Sequence, residues 1–366
     1  MRIDKKLIES KLSQLVESFK KVLYEEDTTF LQNMTRNNLA GDDISRYQFW
    51  EWTQGVGLYG LWKMFEHSKN ESYLAIITEY YDTQLSGGLP SKNINTASPM
   101  LTLSYLYEYT GDTRYLLVCQ EWATWIMEEL PRTQEGGFQH ITSDTVNDQE
   151  LWDDTLFMTV LFLANMGRIL ERDAYVEEAK YQFLLHMKYL TDRKTGLWFH
   201  GWSFNGNHNF VEALWARGNC WITIAIPTFI EMVGLEGNVK RLLSGALETQ
   251  VQALEQYQAV SGMWHTLVDD DSSYEEASAT CGFAYGILKA VHNKLIDPKY
   301  ELCATKALKA ILHHINEEGI VEQVSYGTAM GRVNKEFYKQ IPVQPMPYGQ
   351  AIAMLFLQEV LRDYKE

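Results

Sequence analysis

The sequence predicts an all-α protein, an (α/α)6 barrel in which six helical hairpins close into one ring. Three observations predict it. Proline is scarce, at 8 of 366 residues, where ~5% is usual, as suits long uninterrupted helices. The chain divides into about twelve helical stretches and almost nothing reads as a long strand. Glycine turns recur with a period near 60 residues, about one sixth of the length.

The expected helices span 4–26, 46–67, 71–86, 96–110, 113–129, 152–171, 174–191, 213–233, 237–257, 273–292, 298–315 and 344–363. They are of two kinds. Between Ala174 and Leu190, the residues Val176, Ala179, Phe183, Met187 and Leu190 fall at steps of three and four. Glu177, Glu178, Lys180 and Lys188 take the other face, which describes a surface helix with one buried stripe. From Leu156 to Leu170, by contrast, LFMTVLFLANMGRIL is apolar almost all round. Ile222 to Val233 and Ala351 to Leu361 read the same way, as helices enclosed on every side.

The repeat sets the number of pairs. Several half-exposed helices open on a polar turn and a tyrosine, at Tyr73, Tyr115, Tyr175 and Tyr300. Glycine turns follow the outer helices at Gly88, Gly137, Gly196, Gly262 and Gly319, spaced 49 to 66 residues apart. An open solenoid needs polar caps at both ends, yet the last stretch, AIAMLFLQEVL, is as apolar as the middle ones. The ring is therefore expected to close. No Gly-, Ser- or Pro-rich linker interrupts it, so residues 1–366 are expected to form a single domain.

Composition narrows the function. With 32 Lys and Arg against 48 Asp and Glu, the net charge is −16. No basic run exceeds two residues, which excludes a nucleic-acid-binding face. The opening MRIDKKLIESKLSQLVESF is an amphipathic helix rather than a leader peptide, and no stretch approaches the ~18 apolar residues of a membrane span. Cys119, Cys220, Cys281 and Cys303 lie far apart without a CxxC pair, so reduced, mostly buried thiols and a cytoplasmic location are expected. HExxH, P-loop and GxSxG patterns are absent from the sequence, and the one GxGxxG string, Gly55 to Gly60, falls inside the expected helix 46–67 and makes no phosphate cradle, so neither a metal nor a cofactor is expected. The sequence carries nothing that sets an oligomeric state.

In a closed ring the enclosed helices start at one mouth, where the segments leading into them gather. Those segments read GGLPSKNINTASP, GGFQHITSDTVNDQELWDDT, GLWFHGWSFNGNHNFVEALWARGNCW, GMWHTLVDDDSSYEEAS and GIVEQVSYGTAMGR. His140, His200, His208 and His265 lie in them, with His67 nearby. The 11 Trp and 21 Tyr suit either a large core or, where they line a cleft, the faces of sugar rings.

Within these segments Asp153 and Asp154 stand beside Trp152 at the expected start of the most enclosed helix. They read either as helix-start acids favoured by the macrodipole or as one cap and one cavity acid. Asp154, leading into the buried run, is the better cavity candidate. A carboxyl packed against Trp in a closed cavity has the raised pKa that a general acid needs. Arg217, between Trp215 and Trp221, reads as a buried ion pair or as a clamp for a substrate carboxylate. His200 in LWFHGW and His140 in GGFQH hold equivalent places one repeat apart, as ligand-positioning donors or as satisfied loop histidines.

ELWDDTLFMTVLFL, FHGW followed by LWARGNCW, YEEASATCGFAYGI and the closing PYGQAIAML resemble the unsaturated rhamnogalacturonyl hydrolases of glycoside hydrolase family 105. They resemble more distantly the unsaturated glucuronyl hydrolases of family 88. The resemblance runs from WEWTQGVGLYGLW, near residue 50, to the end. It implies an (α/α)6 barrel that removes a 4,5-unsaturated uronic acid from the non-reducing end of oligosaccharides left by polysaccharide lyases. Unsaturated galacturonyl-rhamnose from rhamnogalacturonan is the implied substrate.

The resemblance also implies a mechanism. An aspartic acid protonates the enol-ether double bond, water adds at C5, and the hemiketal opens and releases the sugar. By its place in the motif that acid is Asp154. Trp152, His140, His200, Trp215, Arg217 and Trp221 match cavity positions that bind or orient the uronate. Asn95 stands where several relatives carry a second cavity aspartate, and an amide does not raise a neighbour's pKa by like charge.

Other readings stay open on the residues alone: a glucuronyl hydrolase acting on other lyase products, or a 2-epimerase using His140, His200 and His265. A conventional inverting glycosidase with Glu276 or Asp270 as second acid, or a non-catalytic carbohydrate-binding barrel, completes the set. The expected partner is the oligosaccharide, with neither nucleic acid nor membrane.

Overall fold

The computed structural model describes residues 3–26, 28, 31–32 and 44–364. Twelve long helices carry the architecture. They are α1 (Lys5–Val22), α2 (Trp52–Ser68), α3 (Glu71–Gly87), α4 (Ser98–Thr110), α5 (Thr113–Glu128) and α6 (a π-helical turn Leu156–Val160 running into Leu161–Ile169). There follow α7 (Asp173–Leu190), α8 (Ala216–Met232), α9 (Gly237–Tyr257), α10 (Ala277–His292), α11 (Glu301–His314) and α12 (Pro347–Leu361).

The even-numbered helices form an inner ring. Each packs on the next, and α12 packs back on α2, so the ring closes as its apolar last stretch requires. Each odd-numbered helix from α3 to α11 packs outside the inner helix that precedes it. The sixth pair is made from the two ends of the chain, α1 against α12. Lys11 of α1 fastens it by donating to the Ile315 and Asn316 carbonyls just after α11, at 2.6 and 3.3 Å.

The two kinds of helix follow their sequence patterns. In α7, Ala179, Phe183 and Leu190 are buried while the charged face is not. In α8 every residue from Ala216 to Ile230 is buried. Pro227 inside α8 has no N–H to offer the Thr223 carbonyl. α10 comes in at that point: a side chain on Gly286 would meet the Thr223 oxygen at 2.3 Å, so only glycine permits this approach. Asn70 and Asp112 cap α3 and α5 by accepting from the Ser72 and Arg114 N–H groups.

The inner helices all start at one mouth. Inner-to-outer connections are short turns at the far end, and the long outer-to-inner segments collect at the near end. The glycine turns opening those segments carry left-handed backbone at Gly88, Gly196, Gly262 and Gly319, with φ of 85°, 80°, 96° and 73°. In the third repeat that conformation falls on Gly136 (φ 76°) rather than on Gly137.

One expectation is corrected here. Four enclosed helices, α6, α8, α10 and α12, begin three to four residues later than the expected bounds, at Leu156, Ala216, Ala277 and Pro347. The preceding residues are drawn into short ladders that stitch neighbouring segments together. β1 (Glu150–Trp152) pairs antiparallel with β2 (Gly201–Ser203), and β3 (Trp264–His265) with β4 (Glu275–Glu276). Asp153 and Asp154 therefore occupy the turn between β1 and the π-helical turn, not the first turn of a regular helix. All four cysteines are free and buried. Among the described residues no helix is long and apolar enough to cross a membrane.

Candidate active site

The β1–β2 ladder aligns the central residues. Trp152 lies opposite Gly201, and just beyond the ladder the Asp153 N–H donates to the His200 carbonyl at 3.0 Å. His200 N–H in turn donates to the Ala213 carbonyl at 3.1 Å, tying in the segment that enters α8. Irregular π-helical geometry directly after Asp154 is a frequent companion of functional sites.

The aromatic and histidine rings form a stack. His140 lies parallel to Trp152 with centroids 4.4 Å apart, and the edge of Trp152 meets His200 at 5.1 Å. His200 then packs on Trp215 at 4.3 Å. Trp221 lies deeper, between Trp52 at 5.9 Å and Phe157 at 5.0 Å, and Trp52 packs on Tyr348 at 4.6 Å. Trp221 is thus the floor under the partly exposed Trp52.

Asp154 faces this stack. Its Oδ1 is 3.4 Å from His140 Nδ1, which also lies 2.8 Å from Thr155 Oγ1. Burial pushes the His140 pKa down to about 3, so the contact joins a neutral ring to an acid and is not an ion pair. Burial pushes Asp154 the other way, up to about 7, against a smaller lowering by backbone N–H groups and by Arg217. Its side chain keeps 16% of its surface open to the mouth.

Asp153 is enclosed completely, and neither carboxylate oxygen meets the geometry of a hydrogen bond. Burial, then the neighbouring Asp154, hold its pKa well above the usual carboxylate range. A Cβ at Gly218, in the first turn of α8, would lie 2.1 Å from its Oδ2, so glycine there makes room for the carboxyl.

Arg217 is buried with its fork engaged. It donates to the Ser325 carbonyl (3.1 Å) and hydroxyl, to the Tyr326 carbonyl (3.1 Å) and to Thr328 Oγ1 (3.0 Å). Glu276 Oε1 is 3.7 Å away, and the guanidinium lies 4.9 Å from both the Trp215 and Tyr348 rings. Asn95 reaches the same mouth because the Ile94 N–H donates to the Ile141 carbonyl beside His140, at 3.0 Å. The Ile94 carbonyl accepts from Thr159 of α6, also at 3.0 Å.

The other nominated groups lie elsewhere in this frame. Glu276 caps α10, accepting from the Ala279 N–H at 2.6 Å and the Ser325 N–H at 2.9 Å. Asp270 pairs with Lys339 at 2.7 Å, which holds its pKa down to about 2. His265 is tied to the Ser273 carbonyl, and His208 stands at the rim. His67 sits in the last turn of α2, at the opposite end of the ring.

Several site residues escape sequence reasoning. Glu150 accepts from Trp152 Nε1 at 2.9 Å and pairs in bidentate fashion with Arg332, at 2.8 and 3.0 Å. Tyr338 Oη lies 2.7 Å from His200 Nδ1 and accepts from the Gly331 N–H at 3.1 Å. Glu51, the capping residue of α2, is a further buried acid at this mouth, pushed up to about 8 by burial. No signal in the sequence marks Tyr338. Ser325, Thr328 and Arg332 fall in GIVEQVSYGTAMGR, a loop recognisable by its place in the repeat but not residue by residue.

A buried acid between aromatic walls, at one mouth of an (α/α)6 barrel, fits a carbohydrate-active enzyme. Residues 25–364 match the model of Glycosyl Hydrolase Family 88, and the chain belongs to that family. The unsaturated rhamnogalacturonyl hydrolase YesR of Bacillus subtilis (strain 168) is 35% identical over 319 residues, covering 86% of this chain and 91% of YesR. Two crystal structures, each of a possible member of the GH105 family, are 45% identical and cover 100% of this chain. The one from Salmonella enterica serovar Paratyphi A has a TM-score of 0.92 with 96% of its own chain covered. The one from Klebsiella pneumoniae has 0.93 with 95% covered. The relationship read from the WDDTLFM and LWARGNCW blocks therefore holds, and the protein is a glycoside hydrolase.

Proposed function

We propose that the chain removes a 4,5-unsaturated uronic acid from the non-reducing end of lyase-generated oligosaccharides, with unsaturated galacturonyl-rhamnose as the substrate. The whole ring acts as one catalytic domain. The observation that carries this reading is Asp154: a buried carboxyl with a pKa near 7, open to the mouth and uncommitted to any cation. Glu150 and Glu276 at the same mouth are engaged by Arg332 and Arg217. Asp153 and Glu51, the other acids raised by burial, are enclosed; one such acid open to the mouth suits activation of an alkene, whereas ordinary glycosidases set two carboxylates across the glycosidic bond.

Asp154 gives its proton to C4 of the enol ether, and positive charge develops at C5. Water adds to C5 and returns a proton to the Asp154 carboxylate. The resulting hemiketal opens and the linked sugar leaves, with the acid restored. Protonated Asp154 also spares an anionic uronate the repulsion that an ionised residue would exert. Arg217 supports binding through its field: it is close enough to lower the Asp154 pKa, and a uronate at that depth would feel the same charge. Four buried free thiols suit a reducing compartment, the cytoplasm.

His200 serves as a hydrogen-bond donor to the substrate. This role needs the ring proton on Nε2, which the Tyr338 hydroxyl, 2.7 Å from His200 Nδ1, supports when it gives its proton to Nδ1 rather than to Met330 Sδ at 3.8 Å. That Nε2 is buried and has no partner within the protein. Tyr338→Phe is expected to mix the tautomers, visible in the 15N shifts of the His200 ring, and to lower kcat/KM by roughly tenfold. A wild-type His200 protonated on Nδ1 would rule this role out.

The direct test is incubation with an unsaturated galacturonyl-rhamnose disaccharide. The ultraviolet absorbance of the conjugated double bond should disappear as the sugar is released. Binding without loss of absorbance would instead mark a carbohydrate-binding barrel.

A further inference from the structure

One ring nitrogen of His140 faces two side chains, and they belong to consecutive residues. Thr155 Oγ1 lies 2.8 Å from Nδ1, and Asp154 Oδ1 lies 3.4 Å from it. Successive residues of a regular helix point about 100° apart. Asp154 and Thr155 meet one atom because they stand in the turn that leads from β1 into the π-helical segment. The ring is held in this orientation. Its face lies parallel to Trp152, its N–H donates to the Glu150 carbonyl at 3.0 Å, and its carbonyl accepts from Asn147 Nδ2 at 2.8 Å.

The proton of the Thr155 hydroxyl decides what Nδ1 shows to Asp154. Thr155 is fully buried, and among the described residues His140 Nδ1 is the one hydrogen-bond partner of its Oγ1. With the ring proton on Nδ1, the hydroxyl proton would be buried without an acceptor, which is costly. With the hydroxyl donating, Nδ1 accepts and the ring proton lies on Nε2. Only the second arrangement satisfies both groups. It also sets a lone pair, not an N–H, opposite Asp154 Oδ1, an oxygen that is buried and has no hydrogen-bond partner of its own.

We propose that Thr155 is a positioning residue for the acid: its hydroxyl donates to His140 Nδ1, holds the ring proton on Nε2 and so keeps a donor away from the inner oxygen of Asp154. The proposal rests on the hydrolase reading above and names a device that keeps its acid in the proton-bearing form. A hydrogen bond to a carboxylate favours the charged form, and none is offered from this side. Arg217 and Asp153 also act on Asp154, while Asp144, Glu150, His186 and His200 act on or are acted on by His140 through their charges. None of these groups hydrogen-bonds to Nδ1, so the hydroxyl alone sets its state. Once Asp154 has given its proton to C4, the missing donor leaves its carboxylate a stronger base for the water that adds at C5.

Thr155→Val keeps the shape of the side chain and removes the hydroxyl. Nδ1 is then free to take the ring proton and point it at Asp154 Oδ1. With an unsaturated galacturonyl-rhamnose disaccharide, the alkaline limb of kcat/KM should move down by about one pH unit, a loss of roughly tenfold at pH 8 and a smaller one at pH 5.5. Thr155→Ser retains the hydroxyl and should keep the wild-type limb. The 15N shifts of the His140 ring should show an unprotonated Nδ1 in the wild type and in Thr155→Ser, and a protonated fraction in Thr155→Val. A merely structural role predicts a rate loss at every pH with the limb in place. That result, a limb displaced in Thr155→Ser, or a wild-type ring protonated on Nδ1 would overturn the proposal and leave the hydrolase reading intact. If Thr155→Val does not fold, the wild-type shifts and Thr155→Ser still decide the matter. A wild type that turns over no unsaturated disaccharide would overturn the hydrolase reading, and the proposal with it.

Discussion

Asp154→Asn is expected to lower kcat/KM by about a thousandfold or more while leaving the fold intact. A positioned general acid contributes on the order of 10² to 10⁴. Here it supplies the only proton in the proposed first step. The amide matches the protonated carboxyl in shape, so helix content and the denaturation midpoint should not fall. At alkaline pH the midpoint of the variant should exceed that of the wild type. A carboxyl whose folded pKa is raised stabilises the fold below its ordinary value near 4, and that contribution is lost as pH climbs through about 7. At pH 8 the wild type carries the cost of a buried charge that the asparagine variant lacks. Urea denaturation of the two proteins at pH 5 and pH 8 measures the difference.

The same pKa predicts the pH profile. The acid must be protonated, so kcat/KM of the wild type should fall tenfold per pH unit above about 7. With substrate bound, the uronate adds a second negative charge beside Asp154 and favours its neutral form. The limb in kcat should therefore lie at higher pH than the limb in kcat/KM. If Asp154→Asn kept its activity, the acid would have to be sought elsewhere. Glu51, with a pKa raised to about 8, would be the next candidate.

What the sequence reveals of this machinery divides along physical lines. Enclosure shows in a single helix, because LFMTVLFLANMGRIL has no polar face to give to water, so the inner ring is legible from local pattern. Closure is legible too, since α12 is as apolar as α6 and has to be covered. Asp154, His140 and His200 can be placed at one mouth because the repeat fixes where the loops gather. The exact setting of Asp153 and Asp154 is not legible. It depends on β1 finding β2, a pairing that joins residues about fifty positions apart and overrides helical preference. Still less legible is the segment from Ser325 to Tyr338. It has no hydrophobic period, and its role comes from bonds to Arg217 and His200 that span 108 and 138 positions.

Arg217→Met is expected to have the second large effect, and its signs differ between measurements. Glu276 is 1% exposed, and Arg217 is the cation beside it. Removing one partner of a buried pair typically costs about 3–5 kcal/mol, because the other charge stays buried without compensation. Four hydrogen bonds to Ser325, Tyr326 and Thr328 go with it, which loosens the segment that brings Tyr338 to His200. Unfolding free energy and kcat/KM near pH 6 should both fall. Arg217→Lys should not restore them, since a point charge on a flexible stem does not reproduce a planar fork with several fixed acceptors. Adding Glu276→Gln should recover part of the stability, so the double variant should lose less than the sum of the two single losses. Arg217 also lowers the pKa of Asp154, so in Arg217→Met the alkaline limb of the residual activity should move to higher pH even as the rate drops. A structural role alone predicts the lower stability but no displacement of that limb. A limb that stays in place, or two single losses that simply add, would separate Arg217 from the charge balance of the acid and leave it only as a brace for the loop.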